Sequence, residues 1–139
     1  MYKRDLITAE IQQLVKALAQ LMGLKLEGKK DEADQLFEST LQDEFGLTTK
    51  DLLSPDDSAF ESHLKTQAFK AEKLELLSQL LHTKIENDDA LQANRFIALK
   101  LLQLYSFIEK EYHISSFENI NRQSRIKRFL DNFSADIEQ

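Results

Sequence analysis

Three glycines and one proline punctuate a chain of 139 residues. Sheets and turn-rich folds need tight turns at short intervals, and tight turns draw on these two residue types. Long helices with few breaks need little of either. The apolar residues agree with this. Ile7, Ile11, Leu14, Leu18 and Leu21 are spaced 4, 3, 4 and 3, a seam along a helix from about Asp5 to Leu26. Val15 and Met22 widen the seam to the broader stripe of a helix packed in a globule. The expected class is all-α.

Residues 18–28 echo residues 77–87. Leu18, Gln20, Leu21, Met22, Lys25, Leu26 and Glu27 match Leu77, Gln79, Leu80, Leu81, Lys84, Ile85 and Glu86. The last pair, Gly28 and Asn87, swaps the two residue types that best tolerate a left-handed helix end. Each copy reads as a helix, its stop and the start of a return helix. The chain is thus expected to be one domain with echoing hairpins at about 5–45 and 66–112.

The second helix of the first hairpin is predicted from Asp31, with Ala33, Leu36, Phe37, Thr40, Leu41 and Phe45 inward and Gly46 as its end. A bridge over 46–65 is less regular. Thr48 or Thr49 is placed to cap a turn through Leu52 and Leu53, and Pro55 suits the first turn of a helix anchored by Phe60 and Leu64. A long helix follows from Thr66 to Glu86, then Asn87-Asp88-Asp89 as stop and cap, then a helix from Ala90 to Tyr112. That helix is apolar on nearly every side, with Lys100, Gln103 and Ser106 as one polar stripe, so it is expected at the centre of the core. A last helix over about 115–137 opens with a capping-box spacing, Ser115 to Glu118.

Net charge is −6, and residues 31–62 alone hold ten acids against Lys50. Coulomb repulsion from such a surface disfavours nucleic acid. Arg122, Arg125, Lys127 and Arg128 form the basic cluster, read as partners for the acidic stretch within one chain or between two. No apolar run reaches membrane-spanning length, and no signal-peptide core follows Lys3 and Arg4. The expectation is a complete cytoplasmic chain that does not engage a membrane. With no cysteine, disulfides and thiolate sites are excluded.

Catalytic chemistry finds little support. His63, His82 and His113 are far apart in sequence, and His82 with Glu86 at i, i+4 is better read as a surface hydrogen bond than as a metal pair. Asp56-Asp57 and Asp88-Asp89 are explained by helix capping. No glycine-rich phosphate loop or nucleophile elbow is present.

The stretch from Gly28 to Phe37, with Ala33 and Phe37 four apart, resembles a tetratricopeptide (TPR) half-repeat. The second copy, Asn87 to Phe96 with Ala90, departs from it where Asn94 replaces the aromatic. The resemblance implies a right-handed stack of antiparallel hairpins that binds proteins in a groove. The competing architecture is a compact bundle around the 90–112 helix. Asp5-Leu6-Ile7, Ile11-Gln12-Gln13-Leu14, the run Leu24–Ala33 and Phe45-Gly46-Leu47 also resemble an uncharacterised family of small bacterial all-helical proteins. That likeness covers most of the first 80 residues and brings no activity with it.

The sequence therefore predicts a non-enzymatic protein-interaction or scaffold module with no cofactor and no metal. Its candidate surface comprises Arg122, Arg125, Arg128, Tyr105 and Tyr112. Two alternatives stay open. One is a homodimer built on the seams of the first or last helix. The other is a small-molecule-binding bundle using Lys100, Gln103 and Ser106.

Overall fold

A computed structural model describes residues 2–86, 91–112, 121, 123–128 and 130–131, and every regular element among them is helical. The order is α1 (Tyr2–Leu26), α2 (Lys30–Phe45), α3 (Thr49–Leu53), α4 (Asp57–Gln67), α5 (Ala71–Glu86) and α6 (Leu91–Tyr112). Helical backbone recurs over residues 123–128. The sequence places the start of α1 at about Asp5; the helix begins at Tyr2.

Gly28 is the corner the echo predicts. Its φ is +75°, in the left-handed region, and the bonds around it close a Schellman turn. The Lys29 N–H reaches the Leu24 carbonyl at 2.9 Å, and the Gly28 N–H reaches Lys25 at 3.1 Å. The chain doubles back, and α2 packs on α1. Ala33, Phe37, Thr40, Leu41 and Phe45 form the buried side of α2, while Leu36 is half-buried. Gly46 ends that helix at φ +66°, its N–H on the Gln42 carbonyl. Asn87, the second predicted corner, lies outside the described residues, as does the proposed start of the last helix at Ser115.

Lys73 on α5 reads out the helix directions. Its Nζ lies 3.8 Å from Glu10, in the first half of α1, and 3.6 Å from Glu44, near the end of α2. At the other end of α5, Lys84 meets Asp34 near the start of α2 at 3.0 Å, and Lys25 of α1 donates to the Thr83 carbonyl. So α5 lies against both helices of the first hairpin, parallel to α1 and antiparallel to α2. The two echoing segments touch each other through Lys25 and Thr83.

α6 runs back along α5 and also carries α3 and α4. Asn94, 2% exposed, donates to the Ile85 carbonyl at one end; the Tyr112 hydroxyl donates to the Phe69 carbonyl at the other. Ile97, Leu101, Leu104, Tyr105 and Ile108 of α6 are each at most 1% exposed, which matches the central position expected for this helix. Asn94 occupies the position where the TPR pattern has an aromatic. It instead satisfies a carbonyl at the end of α5.

The boundary between the short bridge helix and the long helix expected over 66–86 is displaced: α4 runs on to Gln67 and α5 begins at Ala71. The 66–86 pattern breaks at Ala68, which ends α4 in a left-handed conformation at φ +50°. An alanine there costs about 1–2 kcal/mol, so something must offset it. Phe69 does: its ring meets Phe45 edge-on at 5.5 Å, and its carbonyl takes the Tyr112 hydroxyl. Pro55 also differs from expectation. It lies ahead of α4, whose N-cap is Asp56, accepting the Ala59 N–H at 3.1 Å. Thr48 caps α3 in a reciprocal box with Asp51.

Candidate functional site

Side chains of α1 divide into two stripes. Leu14, Leu18 and Leu21 face the core at 0, 6 and 1% exposure. Val15, Met22 and Leu26 are 49, 57 and 90% exposed, and Ala19 between them is exposed as well. Val15, Ala19, Met22 and Leu26 stand 4, 3 and 4 apart, so they form a second seam beside the first. Val15 and Met22 do not widen the inward stripe as the sequence reading has it. One face of α1 packs on α2 and α5, while the adjoining apolar positions stay exposed. Isolated exposed aliphatics are ordinary on a protein surface. Here three large ones line up along a single helical stripe.

The outer stripe sits beside Lys16 and Gln20 at one end and Glu27 and Lys29 at the other, all exposed. Glu27 and Lys29 pair with each other at 3.2 Å. Gly23 lies within the same stretch of helix, where glycine is the poorest helix former apart from proline. A Cβ built on it would meet nothing within 4 Å.

The surface residues expected from sequence are scattered. Tyr105 is 1% exposed and belongs to the core of α6, so it offers no ring to a partner. Burial follows from its position: it stands one residue after Leu104 and one turn before Ile108, all three inward. Tyr112 is half-buried, its hydroxyl committed to Phe69. Arg125 and Arg128 are exposed, while Ile126 between them is 4% exposed and anchors that helix in the core. The side chain of Arg122 lies outside the described residues.

Four acids of the 31–62 stretch pair with lysines. Asp34 takes Lys84, Glu44 takes Lys73, Asp57 takes Lys100 at 2.6 Å, and Glu61 takes Lys65. Three of these lysines also lie over a phenylalanine near their carboxylate. Lys84 is 5.3 Å from the Phe37 ring, Lys100 is 5.8 Å from Phe60, and Lys73 is 5.5 Å from Phe45. The spacing Asp-x-x-Phe occurs at both Asp34–Phe37 and Asp57–Phe60. That recurrence is the sequence signal for these latches.

The polar stripe of α6 serves the same end. Lys100, 2% exposed, reaches the Asp57 carboxylate, and the Gln103 amide donates to the Asp57 carbonyl at 2.6 Å. Both side chains hold the first turn of α4 against α6. Beside α3 and α4 lies an open cleft of about 150 Å³, lined by residues that include Leu47, Asp51, Asp56 and His63. It is smaller than the roughly 300–1,000 Å³ of small-molecule sites. Its carboxylates already serve the caps of α3 and α4. His63 meets the Phe45 carbonyl at 2.7 Å. Among the described residues no group of three or more His, Cys, Asp or Glu side chains is placed to hold a metal. No described helix is long and apolar enough to cross a membrane.

No protein family, curated protein or solved structure matches this chain.

Proposed function

We propose that this protein is a non-enzymatic interaction module that docks a protein partner on the outer stripe of α1. The observation that carries the reading is the exposure of Val15, Met22 and Leu26 in one line, at 49, 57 and 90%. Covering such a side chain fully is worth about 1.5–3 kcal/mol, so the three together offer several kcal/mol to a partner that seals them. An amphipathic helix is the natural occupant, because a stripe spaced 4, 3, 4 accepts knobs at the same spacing.

The finer architecture in this proposal is a TPR-like right-handed stack of antiparallel hairpins. Its support is the placement of α5 against both α1 and α2, parallel to α1, with α6 returning along α5. Each hairpin then contacts its neighbour, as in helical repeats. In that frame α3 and α4 are an insertion between hairpins, latched to α6 through Asp57. α1 is the outermost helix of the stack, and a first helix with an apolar outer face invites a further element.

A photoreactive amino acid at position 22, with another at Asp43 on the exposed side of α2 as control, tests the reading in cells producing the protein. The expected result is one defined adduct from position 22, lost on Leu26→Glu, and none from position 43. Equal labelling from both sites, or none from position 22, overturns it.

A further inference from the structure

We infer that the occupant of the outer α1 stripe is a second copy of this chain, its α1 docked antiparallel across a two-fold axis near Ala19 and Met22. The inference rests on the docking reading above and adds the identity and direction of the partner. A two-fold interface needs one patch that complements itself. The seam Val15, Ala19, Met22, Leu26 does so when reversed. Leu26 then lies over Val15 of the second copy, and Met22 lies over its Ala19, large against small. In the parallel direction the small residues face each other and leave a gap, while Leu26 crowds Leu26.

Charge selects the same direction. Lys16 follows Val15, and Glu27 follows Leu26. Antiparallel docking brings Lys16 of one copy toward Glu27 of the other at both ends of the seam. Parallel docking places the two copies of this flank on opposite sides of the seam, so Lys16 and Glu27 find no such partner there. Both side chains are exposed, so Glu27 can leave Lys29 for Lys16 at little cost. Gly23 fits this arrangement too. Nothing within the chain fills the space where its Cβ would stand, and a helix crossing at Ala19 and Gly23 uses that space for the Met22 side chain of the second copy.

Area sets the strength. The stripe from residue 15 to residue 26 is about 18 Å long at 1.5 Å per residue. A strip of that length and about 10 Å wide, the width of a helix, covers a few hundred Å² per copy, below the roughly 800 Å² per partner of a standard interface, so the dimer belongs to the weak class. It forms in the micromolar range or above and is absent at nanomolar concentration.

The chain contains no cysteine, so engineered pairs report without background. Ala19→Cys and Met22→Cys are purified separately, mixed at about 100 μM, a concentration at which a micromolar dimer is populated, and oxidised. The expected product is the mixed 19–22 disulfide, formed several-fold faster than either the 19–19 or the 22–22 product. Sedimentation velocity of the unmodified chain should show a concentration-dependent shift toward dimer, lost on Leu26→Lys. A preference for 19–19 and 22–22 overturns the antiparallel assignment. A chain that stays monomeric at about 1 mM overturns self-pairing altogether. If it stays monomeric while the position-22 photoprobe still captures a defined protein in cells, the docking face stands with a different occupant. If both fail, the docking reading falls as well.

Discussion

Removing the carboxylate of Asp57 should destabilise the fold mainly by stranding a buried ammonium. Lys100 is 2% exposed, and its Nζ sits 2.6 Å from Asp57 Oδ1. Breaking a fully buried ion pair from one side costs about 3–5 kcal/mol. The Asp57 side chain is 71% exposed, however, so water screens half of this pair and the figure must come down. We expect Asp57→Ala to cost about 2 kcal/mol in all, of which about 0.5 kcal/mol is the loss of an acid from the first turn of α4. Lys100→Met keeps most of the buried stem and removes the charge. It forfeits the contact with the Phe60 ring but also the desolvation, so its effect should lie within about 1 kcal/mol of zero. In the Lys100→Met background, Asp57→Ala should then cost only the helix-end contribution. The coupling energy of this double-mutant cycle is about 1–2 kcal/mol. Urea unfolding followed by circular dichroism reads it: at a slope near 2 kcal/mol per molar, Asp57→Ala moves the midpoint down by about 1 M. Coupling below about 0.5 kcal/mol, or Lys100→Met as costly as Asp57→Ala, would refute the reasoning.

Three further outcomes follow from backbone and surface geometry. Gly46→Ala should destabilise by about 1–2 kcal/mol in the same urea assay, because φ is +66°; the new methyl itself meets the His63 ring only at ordinary contact distance. Ala68→Gly should stabilise by about 0.5–1 kcal/mol, since it relieves a left-handed alanine at the end of α4 at the cost of some unfolded-state entropy. Leu26→Gln should leave the unfolding midpoint within about 0.5 kcal/mol of the parent while abolishing the position-22 crosslink, because a side chain 90% exposed contributes little to the fold.

Much of the scaffold was legible in the residues. The inward seam of α1, the buried side of α2, the corner at Gly28, the stop at Gly46 and a threonine cap at 48 or 49, which the structure places at Thr48, follow from spacing and from residues with narrow conformational roles. A break between the bridge helix and the long helix was expected at about residue 65; its place at Ala68 was not legible, because alanine is the best helix former. Packing of Phe69 on Phe45, from another helix, overrides that preference. Ion-pair partners were hidden for a similar reason. Asp34 of α2 and Asp57 of α4 meet lysines 50 and 43 residues away, while Arg125 and Arg128 of the arginine cluster face solvent. Tyr105 shows that an amphipathic side chain goes where its helix face goes. The outer stripe of α1 was the hardest feature to read. Hydrophobicity is the same for a covered and an uncovered valine, and only the placement of the neighbouring helices distinguishes them. The spacing did hold a clue: a second 4, 3, 4 seam displaced by one residue from the first is more apolar surface than α2 and α5 can cover.

The ε-methyl of Met22 offers the most direct test of whether that stripe is open in the folded chain and closed by docking. The chain has two methionines, Met1 and Met22, so selective methyl labelling gives two assignable signals. With a soluble paramagnetic agent in dilute solution, the Met22 signal should broaden strongly, as befits a side chain 57% exposed. Raising the protein to about 1 mM should restore its intensity as a second α1 covers it. A Met22 methyl already shielded in the dilute chain, or one equally exposed at every concentration and in the presence of every captured partner, would contradict the account.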